Sequence, residues 1–203
     1  MAVTQQRAEP DGRSRRRAGT RQKLYEAAVE LIAEQGFSAT TVDDIALRAK
    51  VAKGTVYYNF KSKNDLFEEL LRHGIGLLTD AFRAAVRDLP PREAVGALVR
   101  TQLEYIRQYR AFAQLLLSEM WRTNREWHQT LILLREQAIG VIAETVQAGV
   151  DSGDLPGELD VPVASAALFG IGLVVAVDWL VFQPERPIED VEESLLAIVR
   201  RVG

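Results

Sequence analysis

Between residues 53 and 63 the chain reads Lys53-Gly54-Thr55-Val56-Tyr57-Tyr58-Asn59-Phe60-Lys61-Ser62-Lys63. Cations, hydroxyls, an amide and two adjacent phenols share one competence: hydrogen bonding to phosphates and base edges. Gly54 has no side chain to hold a backbone away from a nucleic acid. Lys53 and Thr55 can reach base edges or phosphates, and Tyr57 and Tyr58 can offer rings to thymine methyls or sugars and hydroxyls to phosphates. Asn59 adds an amide donor. Lys63, at the start of a following helix, would join its N-terminal amides in holding a phosphate. Val56 and Phe60, four apart, share the other helical face and are expected to pack inward with Ile45 and Phe37.

Other chemistry is poorly provided for. The 203 residues contain no Cys and only His73 and His128, so thiolate sites are excluded and a histidine-built metal centre is not expected. No phosphate-binding glycine loop, nucleophile elbow or His-Glu metal helix occurs, so no catalytic residue, metal or cofactor is expected, and a helical enzyme is a minor alternative. Composition, 47% hydrophobic and 26% charged, is that of a soluble globular protein. The start, MAVTQQRAEPDGRSRRR, has no apolar core for a signal peptide, which predicts a cytoplasmic protein. Charge is uneven: residues 1–63 carry twelve Lys/Arg, including all five lysines, against seven Asp/Glu, whereas residues 64–203 carry thirteen against twenty-one. The basic part is where a polyanion would be met.

The elements that must position these residues read as helices throughout. Residues 1–19, polar and rich in Arg, are expected to be a disordered arm, whose Arg13, Arg15, Arg16 and Arg17 either reach a minor groove or merely solubilise. Leu24, Ala27, Ala28, Leu31 and Ile32 recur at helical spacing until Gly36 stops the helix. A short helix begins at Thr40 or Thr41, capped with help from Asp43 or Asp44, and ends near Lys50. A third covers Lys53 to Phe60, and Ser62 with Asp65 caps a fourth. Short helix, tight turn and short helix describe a helix-turn-helix. Beyond it, Asp88-Leu89-Pro90-Pro91 ends the fourth helix, one or two helices with a break near Tyr109 fill 92–122, and Thr123 with Glu126 opens a helix closed by Gly153 and Pro156. Then come Val161 to Phe182 and a last helix opened by Pro187. The expectation is an all-α chain of about nine helices: arm 1–19, helix-turn-helix domain 20–67 and helical body 68–203.

The run Phe37-Ser38-Ala39-Thr40-Thr41-Val42-Asp43-Asp44-Ile45-Ala46, followed by Lys53 through Asn59 and Phe60-Lys61-Ser62-Lys63-Asn64-Asp65-Leu66-Phe67, resembles the DNA-binding domain of the TetR family of bacterial transcriptional regulators. The likeness is dense over residues 20–70. It implies a homodimeric repressor of a double-stranded DNA operator, with a body that binds a small-molecule effector. Carried over by position, it implies DNA contacts from Thr41, Lys53, Gly54, Thr55, Tyr57, Tyr58, Asn59 and Lys63. An activator of the same fold stays open. Two positions depart from the family pattern. Lys50 stands where Gly is frequent, so a left-handed backbone would cost about 1 kcal/mol there, unless its ammonium serves as an added phosphate contact. Ala52 stands where a capping Ser is common.

In the body, Val161 to Phe182 carries one charge, Asp178, in 22 residues. That is long enough to cross a membrane, but the lone segment, its lack of a basic flank, and Ser165 and Pro162 within it favour a buried helix and no membrane. With the stripe Ile188, Val191, Leu195, Ile198 and Val202, it is expected to pair with its two-fold mates in a four-helix interface, burial within one monomer being the alternative. Tyr105, Phe112, Leu116, Met120, Trp121, Trp127, His128 and Leu131, with Tyr109 nearby, suit either plain core or an apolar effector pocket with a few orienting polar groups. Gly74 and Gly76 lie inside the fourth helix at about 1 kcal/mol each relative to Ala. They permit tight packing, or they soften a lever between reader and body.

Overall fold

The computed structural model describes residues 12–120 and 128–202, which form nine helices and no strand. The chain divides into two compact units, Met1–Phe67 and Glu68–Gly203.

The first unit is built from α1 (Gly12–Gln35), α2 (Val42–Arg48), α3 (Lys53–Asn59) and the start of α4 (Lys63–Val86). Helix α1 begins at Gly12, so residues 12–19 are helical where the sequence reading expects a disordered arm. The four Arg of this stretch propagate a helix readily. The Thr20 hydroxyl donates to the Arg16 carbonyl at 3.0 Å, and the Arg17 guanidinium stands 5.8 Å from the centroid of the Tyr58 ring. At the other end Gly36, at φ 84°, donates its N–H to the Ile32 carbonyl and stops the helix. The core contains Leu24, Ala28, Ile45, Val56, Phe60 and Leu66, all buried.

The Thr41 hydroxyl accepts from the Asp44 N–H, and the Asp44 carboxylate accepts from the Thr41 N–H, a reciprocal cap that fixes where α2 starts. Thr40, the other capping candidate, is buried and donates to the Gly36 carbonyl. Helix α2 ends in a Schellman arrangement: Val51 N–H donates to the Ala46 carbonyl and Lys50 N–H to the Leu47 carbonyl. Lys50 occupies its left-handed position at φ 56°. Ala52 begins α3 without a side-chain cap, as its identity implies.

The second unit continues along α4 and adds α5 (Pro91–Gln108), α6 (Arg110–Met120), α7 (His128–Ser152), α8 (Val161–Phe182) and α9 (Ile188–Val202). Pro91 at the first turn starts α5, and the Asp160 carboxylate accepts from the Val163 N–H to start α8. Gly153 at φ 81° follows α7. The expected capping pair Thr123 and Glu126 lies outside the described residues.

Helix α5 is the hub, packing against α6, α7, α8 and α9. Its buried Gln102 donates Nε2–H to the Phe169 carbonyl at 2.8 Å, with Oε1 against Gly172, where a side chain would collide. The absent side chain at 172 therefore leaves room for the Gln102 amide between α5 and α8. Helix α8 is long and apolar enough to cross a membrane, yet it lies against α5, α6, α7 and α9. The α9 stripe is divided: Val191 and Leu195 are buried within this chain and Ile198 is exposed, which corrects the expectation that the whole stripe faces a partner. Arg100 and Glu192, 2.9 Å apart, tie α5 to α9.

Relief of the left-handed strain makes a testable case. Lys50→Gly is expected to raise the stability of the first unit by up to about 1 kcal/mol. Urea denaturation measures it, and an unchanged or lower midpoint contradicts the strain.

Candidate nucleic-acid interface and effector region

Seven residues of α3 present two unlike faces. Val56 and, just past the helix, Phe60 are buried, and the Phe60 ring meets Tyr25 of α1 at 5.7 Å between centroids. Phe37, expected beside them, is buried, and its ring meets Phe67 at 4.9 Å between centroids, tilted by 45°. On the opposite face Lys53 and Gly54 are exposed, Tyr57 and Tyr58 are 52% and 76% exposed, and Thr55 is half-buried. Thr41 at the start of α2 is exposed too, its hydroxyl 2.6 Å from an Asp44 oxygen. These hydrogen bonds hold the Asp44 carboxyl below its usual range. A row of donors and aromatic edges therefore stands clear of the core on a helix narrow enough for a major groove.

Two expected DNA contacts are engaged within the unit. The Lys63 ammonium donates to the Phe37 and Thr40 carbonyls, each at 2.9 Å, and stands 4.2 Å from the centroid of the Phe37 ring. Its geometry is that of a clasp across the turn between α1 and α2, with two of three N–H groups used. Asn59 donates Nδ2–H to the Thr55 carbonyl at 2.8 Å, and its half-buried position leaves Oδ1 without a partner among the described residues. The amide that sequence places toward a nucleic acid thus fastens the end of α3.

Several neighbours carry no signal in their local sequence. Arg21 donates to the Tyr25 hydroxyl at 2.9 Å and to the Asn59 carbonyl at 3.5 Å, and lies 4.5 Å from the centroid of the Phe60 ring. It fixes the α3 end against α1. Arg48 is held by Glu30 and Glu34, which raise its pKa further and leave less of its charge for a nucleic acid. Leu47 is 80% exposed on α2, and a large apolar residue so placed is itself a signal of contact.

In the second unit the described effector candidates Tyr105, Phe112 and Leu116 are buried. The Tyr105 hydroxyl donates to the Gly74 carbonyl at 2.7 Å, and burial, with the Tyr109 phenol nearby, pushes its pKa up. Its ring meets Tyr109 at 4.7 Å and Phe112, edge on, at 6.5 Å. Trp121 and Trp127, and the side chains of Met120, His128 and Leu131, lie outside the described residues. Two cavities open elsewhere in this unit. One of about 560 Å³ is lined by Arg92, Gly96, Val150 and Leu196, and an apolar one of about 330 Å³ by Val146, Leu159, Val163 and Leu168. Val95, Leu155 and Pro156 line both. Tyr105, Phe112 and Leu116 line neither.

A helix-turn-helix with an exposed second helix, joined to a separate helical unit, defines a DNA-binding transcriptional regulator. The chain belongs to the tetR family of bacterial regulatory proteins: residues 24–70 match that family's N-terminal model and residues 88–201 match the model described as "Tetracyclin repressor-like, C-terminal domain". It is a regulator and not an enzyme. The HTH-type transcriptional repressor KstR2 of Rhodococcus jostii (strain RHA1) is 30% identical over 189 residues, covering 90% of each chain. The structure of FadR from Bacillus subtilis in complex with stearoyl-CoA superimposes with a TM-score of 0.78 at 23% identity, covering 87% of this chain and 96% of that one. AibR in complex with isovaleryl coenzyme A and operator DNA gives 0.72 at 18%, covering 88% and 97%.

Gly74 and Gly76 now separate. A Cβ on Gly74 would run into the Phe112 ring, whereas one on Gly76 meets nothing within 4 Å. Gly74 is a packing glycine, so replacing both together does not isolate a hinge. Gly74→Ala is expected to destabilise by roughly 1–3 kcal/mol, and Gly76→Ala to stabilise by up to about 1 kcal/mol. Thermal unfolding of the two single variants distinguishes them; equal effects contradict the packing role.

Proposed function

We propose that this regulator is a ligand-responsive repressor that binds a palindromic double-stranded operator as a homodimer and is released by an acyl thioester of coenzyme A. The carrying observation is the two-faced α3, whose core face is pinned by Val56 and Phe60 while Lys53, Gly54, Tyr57 and Tyr58 stay exposed. Lys53, Gly54, Thr55, Tyr57 and Tyr58 would enter the major groove, with Thr41 beside them. Lys63 and Asn59 act chiefly by positioning the reader, Lys63 retaining one N–H for a phosphate.

Pairing is supported by the outer face of α8. Val163, Ala167, Ile171, Val174, Asp178 and Val181 are all exposed and follow one another at spacings of four, four, three, four and three. After its first step this is the 3.5-residue period of a seam packed against another helix. Ile198 of α9 is also exposed. A two-fold mate covering this seam gives the assembly that half-sites about one DNA turn apart require. A regulator of genes does its work in the cytoplasm, and the α8 seam then needs no membrane to cover it.

The effector class is supported by FadR and AibR, whose complexes contain stearoyl-CoA and isovaleryl coenzyme A. An acyl-CoA is amphipathic, and the apolar cavity would suit its acyl chain while Arg92, in the adjoining cavity, would offer a cation to its phosphates. Tyr105 and Phe112 hold α4 through Gly74, and the first residues of α4 belong to the reading unit. A ligand that moved those two rings would shift α4. Operator and effector then oppose one another by equal coupling free energies.

The test is to enrich duplexes from genomic fragments, then titrate the complex with stearoyl-CoA, isovaleryl-CoA, free coenzyme A and the free acids. The expected result is release by at least one thioester and by neither coenzyme A nor the acids. Failure to enrich any duplex removes the DNA role; indifference to acyl-CoA of every chain length removes the effector class.

A further inference from the structure

Lys53, the first residue of the reader, is already paired. Its Nζ stands 2.8 Å from Asp43 Oδ1 and 2.9 Å from Oδ2, so helix α2 supplies a counter-ion ten residues earlier in the chain. The two side chains are 55% and 63% exposed, so this contact lies at the surface that would face DNA. The hydrogen bond from Lys53 to Asp43, and the carboxylate's charge, raise the lysine pKa, so the ammonium stays fully charged. Helix α2 has two acids in its first turn, but they are used differently. Asp44 closes the cap with Thr41, whereas Asp43 reaches across to α3. Helix α3 has no acid in its own first turn.

Resting on the DNA-reading role above, we propose that Asp43 is a specificity-determining residue, which holds the Lys53 ammonium away from arbitrary phosphates and leaves one N–H directed outward for a base edge of the operator. A free lysine is a mobile point charge that neutralises any phosphate within reach. Binding to random sequence is mainly such neutralisation with counterion release, and it carries no sequence information. The paired ammonium is locally neutral, so it gains little from a random phosphate. Its direction is fixed by the two carboxylate oxygens, so its remaining donor favours an acceptor at one place. An exposed pair contributes little to folding, and the role is therefore read in DNA binding.

The experiment compares wild type, Asp43→Asn, Lys53→Ala and the double variant on two duplexes of equal length, one enriched by the wild-type protein from a randomised pool and one of mixed sequence. Fluorescence anisotropy is followed across roughly 0.05 to 0.2 M salt. Asp43→Asn is expected, for each reader, to tighten mixed-sequence binding by roughly fivefold to tenfold near 0.1 M salt and to steepen the log–log salt slope by about 0.9. Affinity for the enriched duplex should stay within about twofold, because weakening the directed hydrogen bond to a base offsets the benefit of the freed charge. In the Lys53→Ala background the same change should tighten mixed-sequence binding by less, through loss of the carboxylate's repulsion alone, and should leave the salt slope as it was. Equal tightening on both duplexes, or a gain and slope change as large without Lys53 as with it, overturns the proposal, since either shows only the removal of a negative charge near DNA. A wild-type protein that enriches no duplex overturns the reading role and this assignment with it; the preceding outcomes arise only after enrichment, so the two failures are distinguishable.

Discussion

The fold's functional use depends on the anchoring of a seven-residue helix by two apolar side chains. Val56 and Phe60, one turn apart, are buried against the rest of the first unit, and burial of two such side chains provides several kcal/mol. So short a helix would not persist alone in water, and its own hydrogen bonds would not hold it. With one face fixed, the remaining positions must point outward, and those positions carry the lysine, the glycine and the two tyrosines. Arg21 at the far end and the Lys63 clasp at the α1–α2 turn complete the mounting. On the proposed reading, affinity for DNA and stability of the first unit draw on different residues a few positions apart.

The second unit is organised by a different constraint, the close approach of helices where side chains are missing. Gly172 admits Gln102, and Gly74 admits Phe112. At the second of these the Tyr105 hydroxyl also reaches the α4 backbone. Such contacts make poor continuous adjusters, because a ring either fits over a glycine or must leave it. That property suits the proposed ligand response, in which α4 would take one of two positions. The α8 seam is the counterpart on the outside, a mostly apolar exposed face that the proposed dimer would cover.

The reader and the helix order are legible in the sequence because local signals carry them. Prolines, glycines and capping residues mark Val161 to Phe182 as a helix, and the structure places it there. The cost at Lys50 is legible as well, since a Schellman ending requires a left-handed residue whatever its identity. Other features depend on distant parts of the chain. The carbonyls that Lys63 clasps lie 23 and 26 residues away, and nothing in its local run discloses them. Asn59 has the right type for reading DNA, but its backbone partner four residues earlier is equally suitable. The pairing of Lys53 with Asp43 arises only when the turn brings α2 beside α3. Polarity alone misjudges residues 12–19, because a segment with four Arg can extend an existing helix without burying anything. Periodicity alone assigns the whole α9 stripe to a partner, because it states which face is apolar and not what covers it.

The central claim is that α3 lies within DNA when the protein is bound, and side-chain oxidation by hydroxyl radicals, read by mass spectrometry, tests it directly. Tyr57 and Tyr58 are exposed, and Tyr25 and Tyr105 are buried, so one molecule contains both probe and control. A saturating enriched duplex should suppress oxidation of Tyr57 and Tyr58 and leave the buried pair as they were. Tyr57 and Tyr58 reacting at the free-protein rate while duplex is bound would contradict the account.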